Sequence, residues 1–515
     1  MKQVFVVLLV TVLFLRLPAQ EFTYFNKRID HYNNKDNARN IIETDSGYII
    51  GGYTYDPDPN FEYDIKLTFT GLTYDGAENL YKEYGYDSIN IFLGQPGSLI
   101  RYSEDRYISV GTWRIFKESF VDSRGMLACY NSSFDTLWTR LYGEKTLPHD
   151  TAFMLDQIKK TTDNGFIMTG HRNPGSSKFH IWLLKTDSLG SIQWETFIGD
   201  GIKYYSGYSV VQTQDGGFVI GGYNFKIGVN GTGDPLIIKT DSLGNEEWRI
   251  NPGNPDIDDN KVMVALAADG NIIAGTNYGT QESGDNQWMV VKIMKITPNG
   301  EVLWDYNYGE PGYDKFLANT IVLDNGNIIT NGGETIFDSG PDRISWILCT
   351  DSLGNQLWYK EYALLQGDYS NNRLYDVKET SDGGLIGCGM VSPIIPDTGT
   401  TDIWVMKMDS LGCVEAGCDT TVDVVEFFES LGSGFSIYPN PVGEVFTVAF
   451  VNEHPQTYTL QIYDMYGTKV KEKIIPAGKF SIRVSSSTWP GGVYVAVLSS
   501  KGSPAVSLKF LVQRY

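Results

Sequence analysis

The sequence predicts an all-β protein, a seven-bladed β-propeller with four-stranded blades followed by a small Ig-like β-sandwich. Three observations support this prediction. A short phrase returns along most of the chain, each copy divides into four short strands, and the two ends of the repeated region complement each other. Composition agrees, because the 515 residues include 55 Gly, 32 Tyr and 25 Phe, and aromatic residues between glycine-rich turns are typical of strands.

The repeated phrase combines a strand, a tight turn and a tryptophan. It reads KTDSLGSIQW at 185–194, KTDSLGNEEW at 239–248, KITPNGEVLW at 295–304 and CTDSLGNQLW at 349–358, and a fifth copy, KMDSLGC, stops at Cys413. Upstream lies a second phrase, an acidic or polar turn followed by an apolar run. Its seven copies are 52 to 59 residues apart and are marked by Asp45, Glu104, Asp163, Asp215, Asp269, Asn325 and Asp382.

Turn chemistry and tryptophan positions recur within each repeat. In Asp-Ser-Leu-Gly the aspartate bonds nearby backbone amides, and the glycine takes the positive φ that other residues resist. One tryptophan set opens the last strand and another lies on the third strand, and we expect the rings to pack between neighbouring blades rather than to bind sugars. The sets are Trp138, Trp194, Trp248, Trp304 and Trp358, and Trp182, Trp288, Trp346 and Trp404.

The ends of the repeated region favour a closed ring over an open solenoid. The seventh repeat reaches its third strand at 403–408 and lacks a last strand, whereas an extra strand, residues 22–28, precedes the first repeat. A ring closed by the N-terminal strand explains both observations. We therefore predict that residues 22–28 form the outer strand of the blade containing residues 376–408. The repeats resemble those of secreted propeller proteins common in Bacteroidetes, a resemblance that indicates a scaffold without indicating an activity.

The N-terminus is typical of a secretory signal. MKQVFVVLLVTVLFLRLPAQ contains an early lysine, an apolar run and a small-residue exit. We predict a signal peptide over residues 1–19, with cleavage between Ala19 and Gln20. The apolar run is too short to span a bilayer, and no later segment approaches the roughly 18 apolar residues of a membrane helix. We therefore expect no transmembrane span.

Charge and composition change sharply near the C-terminus. Residues 20–434 contain 31 Lys and Arg against 58 Asp and Glu, while residues 435–515 contain 8 against 4. The acidic body would repel phosphate backbones, which argues against nucleic-acid binding. These shifts predict a propeller over residues 20–418, a linker over 419–434 and a separate domain over 435–515.

Two cysteines lie where the last repeat would otherwise enter its fourth strand. Cys413 and Cys418 flank a short loop, and an exported chain can form a local bridge there. We predict a disulfide between them, with two free thiols as the alternative. Cys129 and Cys349 align with the lysines that begin KTDSLG, and we expect Cys388 to be buried.

The last 81 residues contain four motifs in a fixed order. Their most characteristic residues are Tyr438, Pro439, Asn440 and Pro441, then Asp464 and Gly467, then Gly491, Gly492 and Tyr494, followed by the apolar segment 507–512. Leu460 and Ile462 alternate with polar neighbours, and Val493, Val495 and Val497 alternate on another strand, which predicts a small β-sandwich.

This motif order resembles the type A C-terminal sorting domain of type IX secretion cargo. The resemblance implies that the Sec machinery carries the chain into the periplasm. It also implies that partners in the type IX machinery then direct the chain through the outer membrane, to the cell surface or the medium. Such domains are commonly removed after passage, and the resemblance leaves open whether the cargo is released or attached to surface lipopolysaccharide.

Active-site motifs are scarce. The five histidines show neither HExxH nor metal-ligand spacing, and no GxSxG, Walker or GxGxxG element stands in a suitable context. They are His31, His149, His171, His180 and His454. We predict no metal, no cofactor and no catalytic residue, although 58 acidic residues leave a carboxylate pair for glycoside cleavage open.

Our functional hypothesis is a non-catalytic extracellular recognition or structural propeller. The sequence does not distinguish between a glycan and a protein as its ligand. The alternative is a secreted polysaccharide hydrolase or lyase with acidic residues on the axial face. The Asp-Ser-Leu turns also resemble bacterial O-glycosylation acceptors, but their role as turns is sufficient to explain them.

Overall fold

The structure is a computed structural model. It describes residues 22–56, 64–86, 88–117, 120–143, 151–174, 178–225, 233–254, 257, 259–281, 287–309, 314–336, 342–365, 370–392, 400–416, 418, 435–438, 442–443, 445–450, 457–464, 468–476, 481–500 and 503–512. All regular elements in these residues are β-strands. The chain divides into two compact units, residues 1–418 and 419–515. The predicted signal peptide, its cleavage site at Ala19 and Gln20, and the linker lie outside the described residues.

The first unit is a series of antiparallel four-stranded meanders. After β1 (Phe25–Ile29), the first meander contains β2 (Lys35–Thr44), β3 (Gly47–Asp56), β4 (Asp64–Leu72) and β5 (Glu78–Tyr84). In the second, β6 (Ile89–Leu93) and β7 (Leu99–Ser103) share the place of the first strand, before β8 (Arg106–Lys117), β9 (Phe120–Tyr130) and β10 (Thr136–Tyr142). The third contains β11 (Thr151–Lys160), β12 (Phe166–Pro174), β13 (His180–Thr186) and β14 (Ile192–Ile198).

Four further meanders follow the same pattern. The fourth contains β15 (Tyr204–Gln212), β16 (Phe218–Phe225), β17 (Gly233–Thr240) and β18 (Glu246–Ile250). The fifth contains β19 (Val262–Leu266), β20 (Ile272–Gln281), β21 (Gln287–Ile296) and β22 (Val302–Tyr308). The sixth contains β23 (Asp314–Val322), β24 (Ile328–Ile336), β25 (Asp342–Thr350) and β26 (Gln356–Tyr362), and the seventh begins with β27 (Asn371–Glu379), β28 (Leu385–Ser392) and β29 (Asp402–Met408).

The N-terminal strand supplies the missing strand of the seventh meander. Strand β1 pairs antiparallel with β29, from Phe25 opposite Lys407 to Ile29 opposite Ile403. The predicted pairing of the two ends is therefore confirmed, with the strand starting at Phe25 instead of residue 22. Hydrophobic burial holds it there, because Phe25 and Ile29 are both buried.

The first strands of the meanders contact one another in sequence, and β27 contacts β2. Buried polar side chains link these neighbours. Asn40 Oδ1 accepts from the backbone amides of Gly97 and Ser98 at 2.8 and 2.9 Å, and Asp376 Oδ2 accepts from the amide of Ile41 at 3.2 Å. Such side chains satisfy backbone groups that would otherwise be orphaned where one sheet ends and the next begins.

Aromatic rings of each last strand pack on the turn of the following meander. A Cβ on Gly244 would lie 2.7 Å from the Trp194 ring, and Trp248 packs in the same way on Gly300 and donates its Nε1–H to Pro298 O at 3.0 Å. Phe25 of the closing strand occupies the corresponding place over Gly76. The predicted packing of these rings between neighbours is confirmed at these positions. In the third-strand set, Trp182, Trp346 and Trp404 are fully buried, whereas Trp288 is partly exposed.

A buried lysine on the third strand pairs with the aspartate of the first turn in four meanders. The pairs are Lys185–Asp163, Lys239–Asp215, Lys295–Asp269 and Lys407–Asp382, with N–O distances of 2.7 to 3.0 Å. Burial opposes ionisation of Asp163, but hydrogen bonds from Lys185 and Thr161 lower its pKa to about 2. In the second and sixth meanders Cys129 and Cys349 hold the lysine's place, and both are buried free thiols.

A disulfide joins Cys413 to Cys418, with an S–S distance of 2.05 Å and a Cα–Cα distance of 5.6 Å. Cys413 directly follows the last Asp-Ser-Leu-Gly turn, and its amide donates to Asp409 Oδ1 at 2.9 Å. The bond therefore ties the chain after the last meander back to that turn. Cys388 is a buried free thiol.

The second unit has two antiparallel sheets around one apolar core. One sheet contains β30 (Phe435–Tyr438), β31 (Val445–Phe450) and β34 (Ser481–Ser485). The other contains β32 (Tyr458–Asp464), β33 (Lys469–Ile475), β35 (Gly492–Ser500) and β36 (Ser503–Val512), in the order β33-β32-β35-β36. Both sheets contribute to the core, which includes Phe446, Leu460, Ile462, Trp489 and Phe510.

The alternation along β35 buries the residues between its valines. Leu460 and Ile462 are fully buried as expected, but on β35 the buried residues are Tyr494, Ala496 and Leu498, whereas Val493 is 45% exposed. The predicted period of two is confirmed, and the valines lie on the less buried face. The rings of Tyr494 and Trp489 lie in the core of the sandwich. The valines lie on the outer face, where their β-branched side chains favour the strand conformation.

Candidate functional site

The first strands of five meanders share a β-bulge. The ladder to the second strand shifts between Ala38 and Asn40, between Leu155 and Gln157, and at the equivalent places in β15, β23 and β27. Each bulge leaves one residue outside the ladder and re-aims its side chain. The bulged residues are Arg39, Asp156, Tyr208, Ala318 and Tyr375.

Side chains from non-neighbouring meanders meet at these bulges. Lys261, just before β19 of the fifth meander, donates from Nζ to Gln95 Oε1 of the second at 2.7 Å. Its charge also interacts with Arg39 of the first meander and Asp156 of the third. We name the set of Arg39, Gln95, Asp156, Tyr208, Lys261 and Tyr375 the axial cluster.

Arg39 is held by two tyrosines. Its Cζ lies 4.3 Å from the Tyr375 ring centroid and 5.7 Å from that of Tyr53, and one terminal nitrogen donates to Tyr53 Oη at 3.1 Å. No carboxylate of the described residues forms an ion pair with it. The guanidinium is thus held by cation–π contacts and one hydrogen bond, with further donors left for another acceptor.

Like Arg39, Lys261 forms no ion pair with a carboxylate of the described residues. Its Nζ lies 5.3 Å from the Tyr208 ring centroid. Burial and the neighbouring charge of Arg39 lower its pKa to about 8, although Asp156 opposes the shift. Burial and the charge of Asp156 raise the pKa of Tyr208 to about 12.

Asp156 is the carboxylate of the axial cluster, and a histidine stands beside it. Its Oδ2 lies 3.5 Å from His171 Nδ1, and the aspartate is buried. His171 lies on β12 and stacks on Phe179 with ring centroids 5.5 Å apart. Asp156 of the axial cluster and the neighbouring His171 together form an arrangement that could transfer a proton.

Two lysines follow the bulges by three residues. Lys378 pairs with Asp376 at 2.8 Å, and Lys159 lies close enough to Lys378 for their charges to interact. Burial and that repulsion lower the pKa of Lys159 to about 8. Asp376 also accepts from Asn319 Nδ2 at 2.8 Å and from the amide of Ile41, so its carboxylate is occupied by structural hydrogen bonds.

A second acidic group lies at the closing strand. Ligand oxygens of Asp30, Asp36 and Asp402 are within 4.8 Å of one another. Burial raises the pKa of Asp36 to about 6. Arg28 forms an ion pair with Asp402, and Asp36 Oδ2 accepts from the amide of His31 at 2.8 Å. Because these protein groups already serve two of the carboxylates, we assign no cation to the group.

The predicted sorting residues are partly within the described chain. Tyr438 ends β30, Asp464 ends β32 with its Oδ1 accepting from the amide of Thr468 at 2.8 Å, and Tyr494 lies on β35 with its hydroxyl donating to Pro490 O at 2.8 Å. Gly491 and Gly492 lead into β35. Pro439, Asn440, Pro441 and Gly467 lie outside the described residues.

Residues 436–513 match the family model described as a secretion system C-terminal sorting domain. The C-terminal unit is a type IX secretion sorting domain. This sorting domain identifies the chain as cargo that interacts with the secretion machinery and is exported to the cell surface or the extracellular space. The described residues contain no helix with the length and hydropathy of a membrane span. No curated protein sequence matches the chain.

Several solved structures similar to the chain are strand-rich enzymes. A polysaccharide lyase of family PL25, an ulvan lyase, aligns with a TM-score of 0.47 and 10% identity over 75% of this chain and 97% of its own. The α-L-arabinofuranosidase Arb93A of Fusarium graminearum aligns with a TM-score of 0.39 and 10% identity over 75% and 98%. An α-L-arabinanase of Penicillium chrysogenum aligns with a TM-score of 0.37 and 9% identity over 75% and 97%. The described body is all-β and propeller-like, and these alignments carry no argument about its activity.

Sequence reasoning missed the axial cluster. Its members are scattered from Arg39 to Tyr375, and a β-bulge has no local sequence signature. One signal was present: Arg39, Asp156, Tyr208 and Tyr375 each lie six or seven residues before the turn aspartates Asp45, Asp163, Asp215 and Asp382. Comparing repeats at that offset would have found the variable position.

Proposed function

We propose that the body is a seven-bladed β-propeller that recognises an extracellular ligand at its axis, and that it does so without catalysis. The seven meanders would be the blades, closed by β1, and the sorting domain would adopt an Ig-like sandwich. In the same proposal residues 1–19 are a cleaved signal peptide, residues 419–434 a linker, and the source a member of the Bacteroidetes. The closed sequence of contacts between first strands supports the ring.

The axial cluster is the observation that carries recognition. It gathers donors, acceptors and aromatic rings from non-neighbouring meanders at one place, as a binding site requires. Asp376, which follows the bulged residue Tyr375, is held by three hydrogen-bonding groups. A glycosidase ordinarily uses a carboxylate pair, and among the described residues the axial cluster contributes the single carboxylate of Asp156.

The alternative is a polysaccharide hydrolase or lyase on the same scaffold. The pair of Asp156 and His171, beside Tyr208 and Lys261, favours this alternative over other reactions. A histidine and a tyrosine can act as base and acid, and a lysine can stabilise developing negative charge.

A paired experiment separates recognition from catalysis. The purified full chain would be applied to a glycan array and, in parallel, to a polysaccharide depolymerisation screen. We expect retention on the array without new reducing ends or unsaturated products. Product formation that disappears in Asp156→Asn and His171→Gln would establish the alternative instead.

Export has its own test. Deleting residues 435–515 should leave the body folded but held in the periplasm, because the two compact units have separate cores. Cell fractionation of a type IX-competent host and thermal unfolding of the truncated protein would measure the two outcomes. Truncated protein in the medium would contradict the role of the domain, and failure to fold would contradict the boundary.

A further inference from the structure

The axial cluster reverses the charge of the body around it. Residues 20–434 contain 58 acidic against 31 basic residues, yet the bulges and the positions three residues after them carry Arg39, Lys159 and Lys378 against Asp156. Lys261 adds a further cation by its contact with Gln95. Lys378 is neutralised by Asp376, whereas Arg39, Lys159 and Lys261 have no ion-pair partner among the residues that the structure describes.

Such a reversal costs stability, because unpaired like charges repel one another and lose solvation. Lys159 and Lys261 have pKa values lowered to about 8, first by burial and then by the neighbouring cations Lys378 and Arg39. Elsewhere in the body, buried lysines have carboxylate partners, as Lys185 has Asp163 at 2.8 Å and Lys239 has Asp215 at 3.0 Å. Within the described part of the chain, Arg39, Lys159 and Lys261 therefore lack a carboxylate within ion-pair distance, which those other lysines have.

The geometry of Arg39 indicates the kind of anion. Its guanidinium lies over the Tyr375 and Tyr53 rings and donates one hydrogen bond to the Tyr53 hydroxyl, which leaves further N–H donors for a ligand. A planar fork of donors matches a carboxylate or a sulfate ester, which it can bind through two parallel hydrogen bonds. The surrounding groups are the hydroxyls of Tyr53 and Tyr208 and the amide of Gln95, which suit a ligand rich in hydroxyl groups.

We propose that the axial cluster binds the anionic group of an acidic saccharide, a uronate carboxylate or a sulfate ester, through Arg39 and Lys261. This inference rests on the proposed function as a recognition propeller and names its ligand class. The tyrosine hydroxyls and the Gln95 amide favour a saccharide over an acidic peptide. Field lines focused between low-dielectric walls would draw the anion toward the axis despite the acidic exterior.

Calorimetry with the mature full chain tests the proposal. The probes are oligogalacturonate for a uronate, a sulfated galactan oligosaccharide for a sulfate ester, a neutral galactan oligosaccharide and polyglutamate. We expect binding of at least one acidic oligosaccharide, weaker at higher salt, and no binding of the neutral one. Arg39→Gln and Lys261→Gln should each weaken that binding at least tenfold. Lys82→Gln, at a surface pair with Asp135, should leave it unchanged.

The outcomes separate the two proposals. Unfolding temperatures near that of the parent chain show that a variant has kept its fold. Equal binding of the neutral oligosaccharide, a preference for polyglutamate, unchanged affinity in Arg39→Gln, or no binding of any probe would overturn the acidic-saccharide site. Cleavage of a bound acidic oligosaccharide would leave that site standing and overturn non-catalytic recognition.

Discussion

The residues at the turns of the meanders and the residues at the bulges of their first strands differ in how strictly their types repeat from one meander to the next. At the turns, a lysine–aspartate pair returns in four meanders, and an aromatic ring over a positive-φ glycine returns from Trp194 on Gly244 to Phe25 on Gly76. At the bulges, the equivalent residues are arginine, aspartate, tyrosine, alanine and tyrosine. The repeated positions solve the same packing problem in each meander, whereas the varied positions build one asymmetric site. The side chains that differ between equivalent positions are therefore the ones that we associate with function.

Removing the closing strand should cause the largest loss of stability, because this strand supplies both a hydrogen-bonded ladder and one of the repeated ring contacts. Deleting residues 22–29 removes the buried side chains of Phe25 and Ile29 and the partner strand of β29. We expect a loss of about 4 kcal/mol or more in the free energy of unfolding. Denaturant unfolding measures it, with deletion of residues 1–21 alone as the control. An unchanged midpoint would contradict the closure.

The ring–glycine contact can be isolated with a pair of glycines. Gly244 has a φ of +84° and faces Trp194, whereas Gly326 has a φ of +86° and open space where a Cβ would lie. Gly326→Ala should cost about 1 kcal/mol for backbone strain, and Gly244→Ala about 2–3 kcal/mol because the ring must also move. Denaturant midpoints of the two variants measure the difference. Equal losses would mean that the ring contact contributes nothing.

Breaking a lysine–aspartate pair should cost less stability, because the Asp163 side chain is half exposed. Asp163→Asn removes the charge opposite buried Lys185, and we expect a loss of about 1–2 kcal/mol near neutral pH. Asn325→Asp is the matched control, since Cys349 replaces the lysine there, and it should change stability by less than about 0.5 kcal/mol. Thermal unfolding of both variants tests the comparison.

Acid unfolding sharpens the same comparison. The folded-state pKa of Asp163 is lowered to about 2 from 3.8, so its stabilisation is present above the unfolded pKa and disappears as pH falls through the folded value. Asp163→Asn should therefore differ from the parent chain at pH 6 and converge with it near pH 2. A constant difference across that range would show that the substitution acts through something other than charge.

Binding at the axial cluster should show the smallest effect, a dependence on pH. The cation on Lys261, which faces Arg39, Asp156 and Tyr208, is lost as pH rises through about 8, while Arg39 stays charged and Tyr208 stays neutral. We expect affinity for the acidic oligosaccharide to fall on the order of three- to tenfold between pH 6.5 and 9.5. Calorimetry of Lys261→Gln should show a weaker pH dependence. The same slope in both proteins would assign the titration to another group.

Local chemistry explains why much of the fold was predictable. The Asp-Ser-Leu-Gly turns, the tryptophans that follow them and the surplus strand at residues 22–28 are each defined by neighbours in sequence, so repetition alone revealed meanders, ring packing and the pairing of the two ends. The sorting domain was recognisable for the same reason, because its motifs are short and ordered along residues 438–512. The alternation of β35 was visible too, but its phase was not.

Tertiary structure decided what depends on distance and register. The inward face of β35 was set by the rings of Tyr494 and Trp489, which pack in one core with Phe446 of the other sheet. The axial cluster brings Lys261 to Gln95 across 166 positions of sequence, through bulges that any residue type can occupy. The sequence by itself determined the strands, the turns and the export signal, because these follow from local conformation and short motifs. Only the closed arrangement of strands decided which unpaired charges meet, since electrostatic interactions depend on separation in space.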